Sequence, residues 1–141
     1  MANKKQARNA GWQWAAVAAV VLVAGGGWIW WSQFRQPDET VAVTMPTLND
    51  AQASGQEAFA ANCAVCHGPN AGGTDAGPPL IHRVYEPGHH GDMSFVMAVQ
   101  RGVRQHHWKF GNMPAQPQVS EAEIADIIAY VRAVQRANGI R

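Results

Sequence analysis

Cysteine is scarce in this 141-residue chain: there are only two, too few for a disulfide framework that would brace a small fold. Charge is scarce too, at 15% of residues, with 11 Lys and Arg nearly balanced by 10 Asp and Glu. No basic stripe runs along any segment, which excludes a nucleic-acid-binding surface. A second C-x-x-C is missing, and with it a four-ligand structural zinc site of the usual spacing. No run alternates with period two for long enough to suggest a strand, and there are no internal repeats. A redox dithiol beside a βαβ unit is thereby excluded. The length leaves room for one compact domain plus a short accessory segment.

What is present begins near the N-terminus. Lys4, Lys5 and Arg8 precede a stretch from Trp12 to Trp31 that carries no charge, and Arg35 follows it. As a helix rising about 1.5 Å per residue this stretch would span about 30 Å, the thickness of a bilayer's hydrocarbon core. Trp12 and Trp14 at one end and Trp28, Trp30 and Trp31 at the other suit the two membrane interfaces. More positive charge before the span than after it places the N-terminus in the cytoplasm. The expected organisation is a cytoplasmic N-terminus over 1–11, a single transmembrane anchor over 12–31, a linker over 32–48 and an outer domain over 49–141. The alternative is a cleaved export signal cut near Val23-Ala24-Gly25-Gly26, which would strand Trp28-Ile29-Trp30-Trp31 in water; a retained anchor is the preferred reading. Both readings export the domain. From Pro37 onward seven Lys and Arg face ten Asp and Glu, a balance of minus three that suits partners with a basic docking patch.

The outer domain shows helical periodicity only. Asn49 or Asp50 is a fitting N-cap for a helix over Ala51 to Ala61. Asp92 is expected to cap a helix over Met93 to Arg101, closed by Gly102, with Met93, Val96 and Met97 on its inner face. Ser120 and Glu123 form a capping box before Ile124, Ile127, Ile128, Val131 and Val134 at helical spacing. A polar stretch with two prolines, from Pro37 to Pro46, precedes them, and an irregular stretch rich in glycine and proline runs from Gly68 to Pro79. The fold class is all-α. Three short helices supply too few apolar side chains to fill a centre, so a large apolar group is needed there.

Cys63-Ala64-Val65-Cys66-His67 names that group. C-x-x-C-H is the haem-attachment pattern: the two thiols form thioethers with the vinyl groups, and His67 is carried to the iron as proximal ligand. A metal-bound histidine donates its other ring N–H to a carbonyl or carboxylate, and the Pro78 carbonyl is the candidate acceptor. Met113, in Gly111-Asn112-Met113-Pro114, is the candidate sixth ligand; Met93 and Met97 suit core filling, and Met45 belongs to the linker. The expected cofactor is one covalently attached haem c with its iron. With both axial positions filled, its chemistry is one-electron transfer, and no residue is expected to be catalytic.

These motifs resemble the class I c-type cytochromes, here of a membrane-anchored monohaem type. The resemblance rests on Cys63 to His67, Gly77-Pro78-Pro79-Leu80, Met113-Pro114 and Asp126-Ile127-Ile128-Ala129-Tyr130-Val131, in matching order. It implies a small cytochrome c-like helical domain around one haem, preceded by the single transmembrane helix. It also implies that Gly55 and Phe59 pack on Ile127 and Tyr130, and that Pro78 supplies the carbonyl for His67. The stretch Val103 to Phe110 departs from the pattern, being longer and richer in histidine. Three functions fit: a membrane-tethered carrier between a respiratory donor and acceptor in the bacterial periplasm, a fixed haem c subunit of an oxidoreductase complex such as a terminal oxidase or nitric-oxide reductase, or a sensor or peroxidase-like enzyme in which Met113 leaves the iron. His82, His89, His90, His106 and His107 are not needed for attachment. They are exposed loop residues, partners of a haem propionate beside the Trp108 indole N–H, or a second metal site or pH-responsive edge, since imidazole binds copper and zinc. In an extended loop adjacent histidines point to opposite sides, so each pair is expected to offer one ligand.

Overall fold

The computed structural model describes residues 4–34 and 40–141, and of the first stretch the side chains of 14–30 and 32. Helix α1 runs Lys4–Phe34. Residues 1–3 of the expected cytoplasmic segment, residues 35–39 of the expected linker, and the side chains of Trp12 and Trp31 lie outside the described residues. Among the described residues no helix is long and apolar enough to cross a membrane. The expected transmembrane helix over 12–31 falls within α1 and is not supported by these residues. Every side chain described in it is exposed.

The second unit, from Asp38 to Arg141, carries the remaining elements. Helix α2, Asp50–Asn62, starts where the Asn49 side chain accepts from the Gln52 N–H and the Gln52 side chain accepts from the Asn49 N–H, each at 3.0 Å. Helix α3, Ala64–His67, follows at once, and helix α4 spans Asp92–Arg101. Helix α5, Glu121–Ala137, opens on the Ser120–Glu123 capping box. A 3-10 turn, Arg83–Tyr85, is capped by His82, whose Nδ1 accepts from the Val84 N–H at 3.2 Å. Among the described residues the only β-pairing is an isolated bridge between Val103 and Met113.

Helices α2 and α5 form the spine. Their crossing is tight at Gly55, where a β-carbon would run into the backbone carbonyl of Asp126, so only glycine fits. One turn on, Phe59 meets Tyr130 at 5.5 Å between ring centroids, both fully buried. Ile124, Ile127, Ile128, Val131 and Val134 extend this core along α5.

Two sequence expectations change here. Asp92 is the first residue of α4 rather than its cap, which is Gly91; its carboxylate instead accepts from Arg132 Nε at 2.8 Å. Met93 does not face inward but is 68% exposed, because Val99 and the half-buried Phe95 and Val96 make the inner face. The described part of the expected linker also differs, since residues 40–48 lie on the domain as a strap. Val41, Val43, Met45 and Leu48 pack against the core, the Val41 N–H reaches the Gly72 carbonyl at 2.8 Å, and Thr44 exchanges two hydrogen bonds with the Asn138 amide at 2.9 and 2.8 Å.

Candidate functional site

The end of α2 places the two-thiol motif. Cys63 caps α2 through its N–H to the Phe59 carbonyl, and its own carbonyl accepts from the His67 N–H at 2.9 Å. Cys63 and His67 are thus one helical turn apart and both line a cavity of about 480 Å³. Phe59, Leu80, Phe95, Val99, Phe110 and Ile127 give it apolar walls, and Pro78, Trp108 and Met113 also reach it. Cys66 is half-buried and does not line the cavity. Both thiols are free. Burial, and then the neighbouring Cys66, push the Cys63 thiol up to about 11. It stays protonated at neutral pH, unlike the nucleophile of a dithiol redox enzyme.

His67 Nδ1 lies 2.8 Å from the Pro78 carbonyl oxygen, an acceptor only, so Nδ1 carries the proton and Nε2 keeps its lone pair. Burial lowers the His67 pKa, opposed by that hydrogen bond, and the ring is neutral near pH 7, the form that binds metal. On the loop side, Met113 and Val103 exchange backbone hydrogen bonds of 2.9 and 3.0 Å. Gly102 permits this approach: its φ is +73°, and a β-carbon there would lie 2.5 Å from the Met113 carbonyl. Between the bridged residues the loop closes on itself, with the Gln105 N–H donating to Asn112 Oδ1 and the Gly111 N–H to Gln105 Oε1, both at 2.9 Å.

The Trp108 indole N–H is shielded from solvent and closes no well-formed hydrogen bond. It faces the Tyr85 hydroxyl closely enough only to oppose slightly the upward push that burial gives that phenol, to about 12. The His82 ring stands edge-on to Trp108 at 5.0 Å. The other four histidines gather at one place, with His106 and His107 rings 4.3 Å apart and His89 and His90 rings 4.6 Å apart. The expectation that adjacent histidines diverge fails for His89 and His90, because both amides donate to the Glu86 carbonyl in a turn and the chain there is not extended. Pro87-Gly88 ahead of them was the available signal.

Sequence reasoning also missed Arg132 and Gln135, which are buried on α5 and hold the cavity's far wall. Arg132 donates to the Tyr85 carbonyl at 2.7 Å and the His90 carbonyl at 2.6 Å, and Gln135 donates to the Leu80 carbonyl at 2.9 Å. Their spacing of three within the apolar stripe of α5 was the signal.

No curated protein and no solved structure gives a significant match to the chain. Residues 52–135, more than half of the sequence and all of the cavity's cysteine, histidine and methionine residues, match the family model described as Cytochrome c, so the chain belongs to the cytochrome c family and binds haem c, with its iron, covalently.

Proposed function

We propose that this chain is a membrane-tethered monohaem cytochrome c that carries single electrons between the donor and acceptor of a respiratory chain, with its haem domain in the bacterial periplasm, and that it makes and breaks no bonds of a substrate. The observation that carries the reading is His67: its Nδ1 is tied to the Pro78 carbonyl in the wall of an apolar cavity that also receives Met113. The residues present fit the group. Cys63 and Cys66 would hold it by thioethers, His67 Nε2 and the Met113 sulfur would ligate its iron, and the Trp108 N–H suits a propionate oxygen. Bound haem supplies a one-electron couple between ferric and ferrous iron. The protein's part is to keep His67 neutral and oriented, to shut water out with Phe59, Leu80 and Phe95, and to press Met113 inward through its bridge to Val103.

The membrane tether is supported by the charge-free stretch from Trp12 to Trp31 and by the basic residues Lys4, Lys5 and Arg8 before it. Large apolar side chains on α1 are exposed throughout, among them Trp14, Val20, Leu22, Val23 and Ile29. A helix apolar on all sides is stable only in an apolar surrounding.

A second reading, a fixed haem subunit of a larger membrane oxidoreductase, gains from the strap. With residues 41–48 laid on the domain, less of the expected linker over 32–48 is left to act as a swinging spacer. The test is membrane fractionation followed by a haem-stained denaturing gel. Haem colour at the chain's own mass, in a membrane fraction that survives an alkaline wash, is expected. Colour lost on denaturation sinks covalent attachment, and release by the wash sinks the tether. Proteins that co-purify stoichiometrically in mild detergent would decide for the fixed subunit.

A further inference from the structure

Three imidazoles carry no role assigned above, although His90 and His107 also line the cavity. His89 and His90 stand in the turn before α4, and His107 stands on the loop between Val103 and Met113. Their ring centroids form a near-equilateral triangle, 4.6 Å for His89–His90, 5.1 Å for His89–His107 and 5.2 Å for His90–His107. One ring nitrogen from each lies within 4.8 Å of the others. His89 Nε2 and His107 Nε2 are 3.2 Å apart. Two imidazole nitrogens bound to one tetrahedral ion at about 2.0–2.1 Å stand about 3.3 Å apart, so this pair is already at ligand spacing.

The surroundings prepare the rings as metal ligands. His90 Nδ1 lies 2.6 Å from the Val84 carbonyl and must be the protonated nitrogen, which leaves Nε2 free. That is the outer hydrogen bond that fixes the tautomer of metal-bound histidines. The His90 backbone is itself held, its carbonyl accepting from Arg132 Nη2 at 2.6 Å. His106 is ordered in the same way, Nδ1 donating to the Arg104 carbonyl at 2.8 Å, with its ring 4.3 Å from that of His107. Protons resist this crowding: desolvation, then repulsion from His106, His90 and His89, lowers the pKa of His107. Without an ion the His89–His107 contact is an N–H···N hydrogen bond, and a shared cation would take the lone pairs of both nitrogens once that proton is lost.

We propose that His89, His90 and His107 form a second metal site, for a divalent first-row transition ion that prefers imidazole, copper or zinc, with a fourth position left to His106 or water. Of the two, copper binds the tighter by the general order of divalent affinities. The ion ties the turn before α4 to the Met113-bearing loop at the mouth of the cavity, which His90 and His107 also line. The proposal is independent of which residues bind the haem iron.

The experiment takes purified full-length holoprotein and dialyses it to equilibrium against Zn²⁺, and separately against Cu²⁺, in a non-chelating buffer. Elemental analysis counts each metal against haem iron. One ion per haem is expected, released as pH falls through the imidazole range, because the ligands must be deprotonated. The double variant His89→Ala with His107→Ala should bind about 100-fold more weakly or worse, since loss of an outer partner alone costs 10- to 100-fold. Both residues are exposed, and an unchanged helix content in the variant shows that the fold is intact. No metal beyond iron in the parent protein, or equal binding by the variant, overturns the site.

Discussion

Replacing Arg132 by methionine is expected to destabilise the haem domain by about 3–5 kcal/mol. The guanidinium is only 8% exposed and is hydrogen-bonded on all three nitrogens: Nε to Asp92, Nη1 to the Tyr85 carbonyl and Gln135 Oε1, and Nη2 to the His90 carbonyl, at 2.6 to 2.8 Å. These bonds are not equal in value. Asp92 is 66% exposed, so that ion pair contributes about 1 kcal/mol or less. The Tyr85 carbonyl keeps a second donor, Gln135 Nε2 at 3.0 Å. The His90 carbonyl and Gln135 Oε1 lose partners inside the protein, at about 1–3 kcal/mol each. Loss of the guanidinium's contact with the Phe95 ring, 4.8 Å away, adds about 0.5–1 kcal/mol. Methionine keeps most of the volume, so cavity formation adds little. With a urea dependence of about 2 kcal/mol per molar, the middle of the usual range, the unfolding midpoint of the holoprotein should fall by about 1.5–2.5 M, followed by far-ultraviolet circular dichroism. A midpoint within about 0.5 M of the parent, at an unchanged slope, would refute the reasoning. Arg132→Lys should fall between the two, because an ammonium cannot serve two carbonyls as a planar fork does.

Met113→Ala should lower the reduction potential and open the iron to carbon monoxide, as read by spectroelectrochemistry and gas titration; an unchanged potential and a closed iron would remove Met113 as ligand. Gly55→Ala should drive a methyl group into the Asp126 carbonyl, separate α2 from α5, and cost about 1–3 kcal/mol, visible as a melting temperature lower by about 5 °C or more. Hydrogen bonds from the Ser120 hydroxyl, and then its backbone N–H, hold the Glu123 carboxyl below its ordinary value. A depressed carboxyl pKa stabilises the fold above the unfolded value and ceases to do so as pH falls through the folded one. The stability gap between the parent and Glu123→Ala should therefore be constant from neutral pH down to about pH 5 and shrink below about pH 4.

Local rules carried far where the determinant was local. The Asn49–Gln52 and Ser120–Glu123 boxes, the C-x-x-C-H turn and the apolar stripe of α5 are each decided within a few residues, and helices α2, α3 and α5 form there. The Pro78 carbonyl was nameable as the neighbour of His67 because a ligating imidazole needs one acceptor. What escaped depends on distant partners. Residues 41–48 do alternate in burial, but Pro37 and Pro46 disguised them as a linker, and the surface they cover is built from residues far along the chain. Met93 turned outward because Phe95, Val96 and Val99 satisfied the inner face of α4 without it. Arg132 and Gln135 sit at core positions of α5 only because carbonyls of residues 80–90 come round to meet them. The histidine triangle likewise joins two loops that only the fold brings together.

The strap also sets where a mechanical load would enter the domain. Tension on the chain at Val41 falls on the hydrogen bond from Val41 to Gly72 and on the paired bonds between Thr44 and Asn138. The second ends at Asn138, the C-cap of α5, the longest helix of the domain, and neither fastening includes the bridge from Val103 to Met113. A pull on the strap would thus enter the domain through residues 41–44 and the end of α5 rather than through the loop that carries Met113.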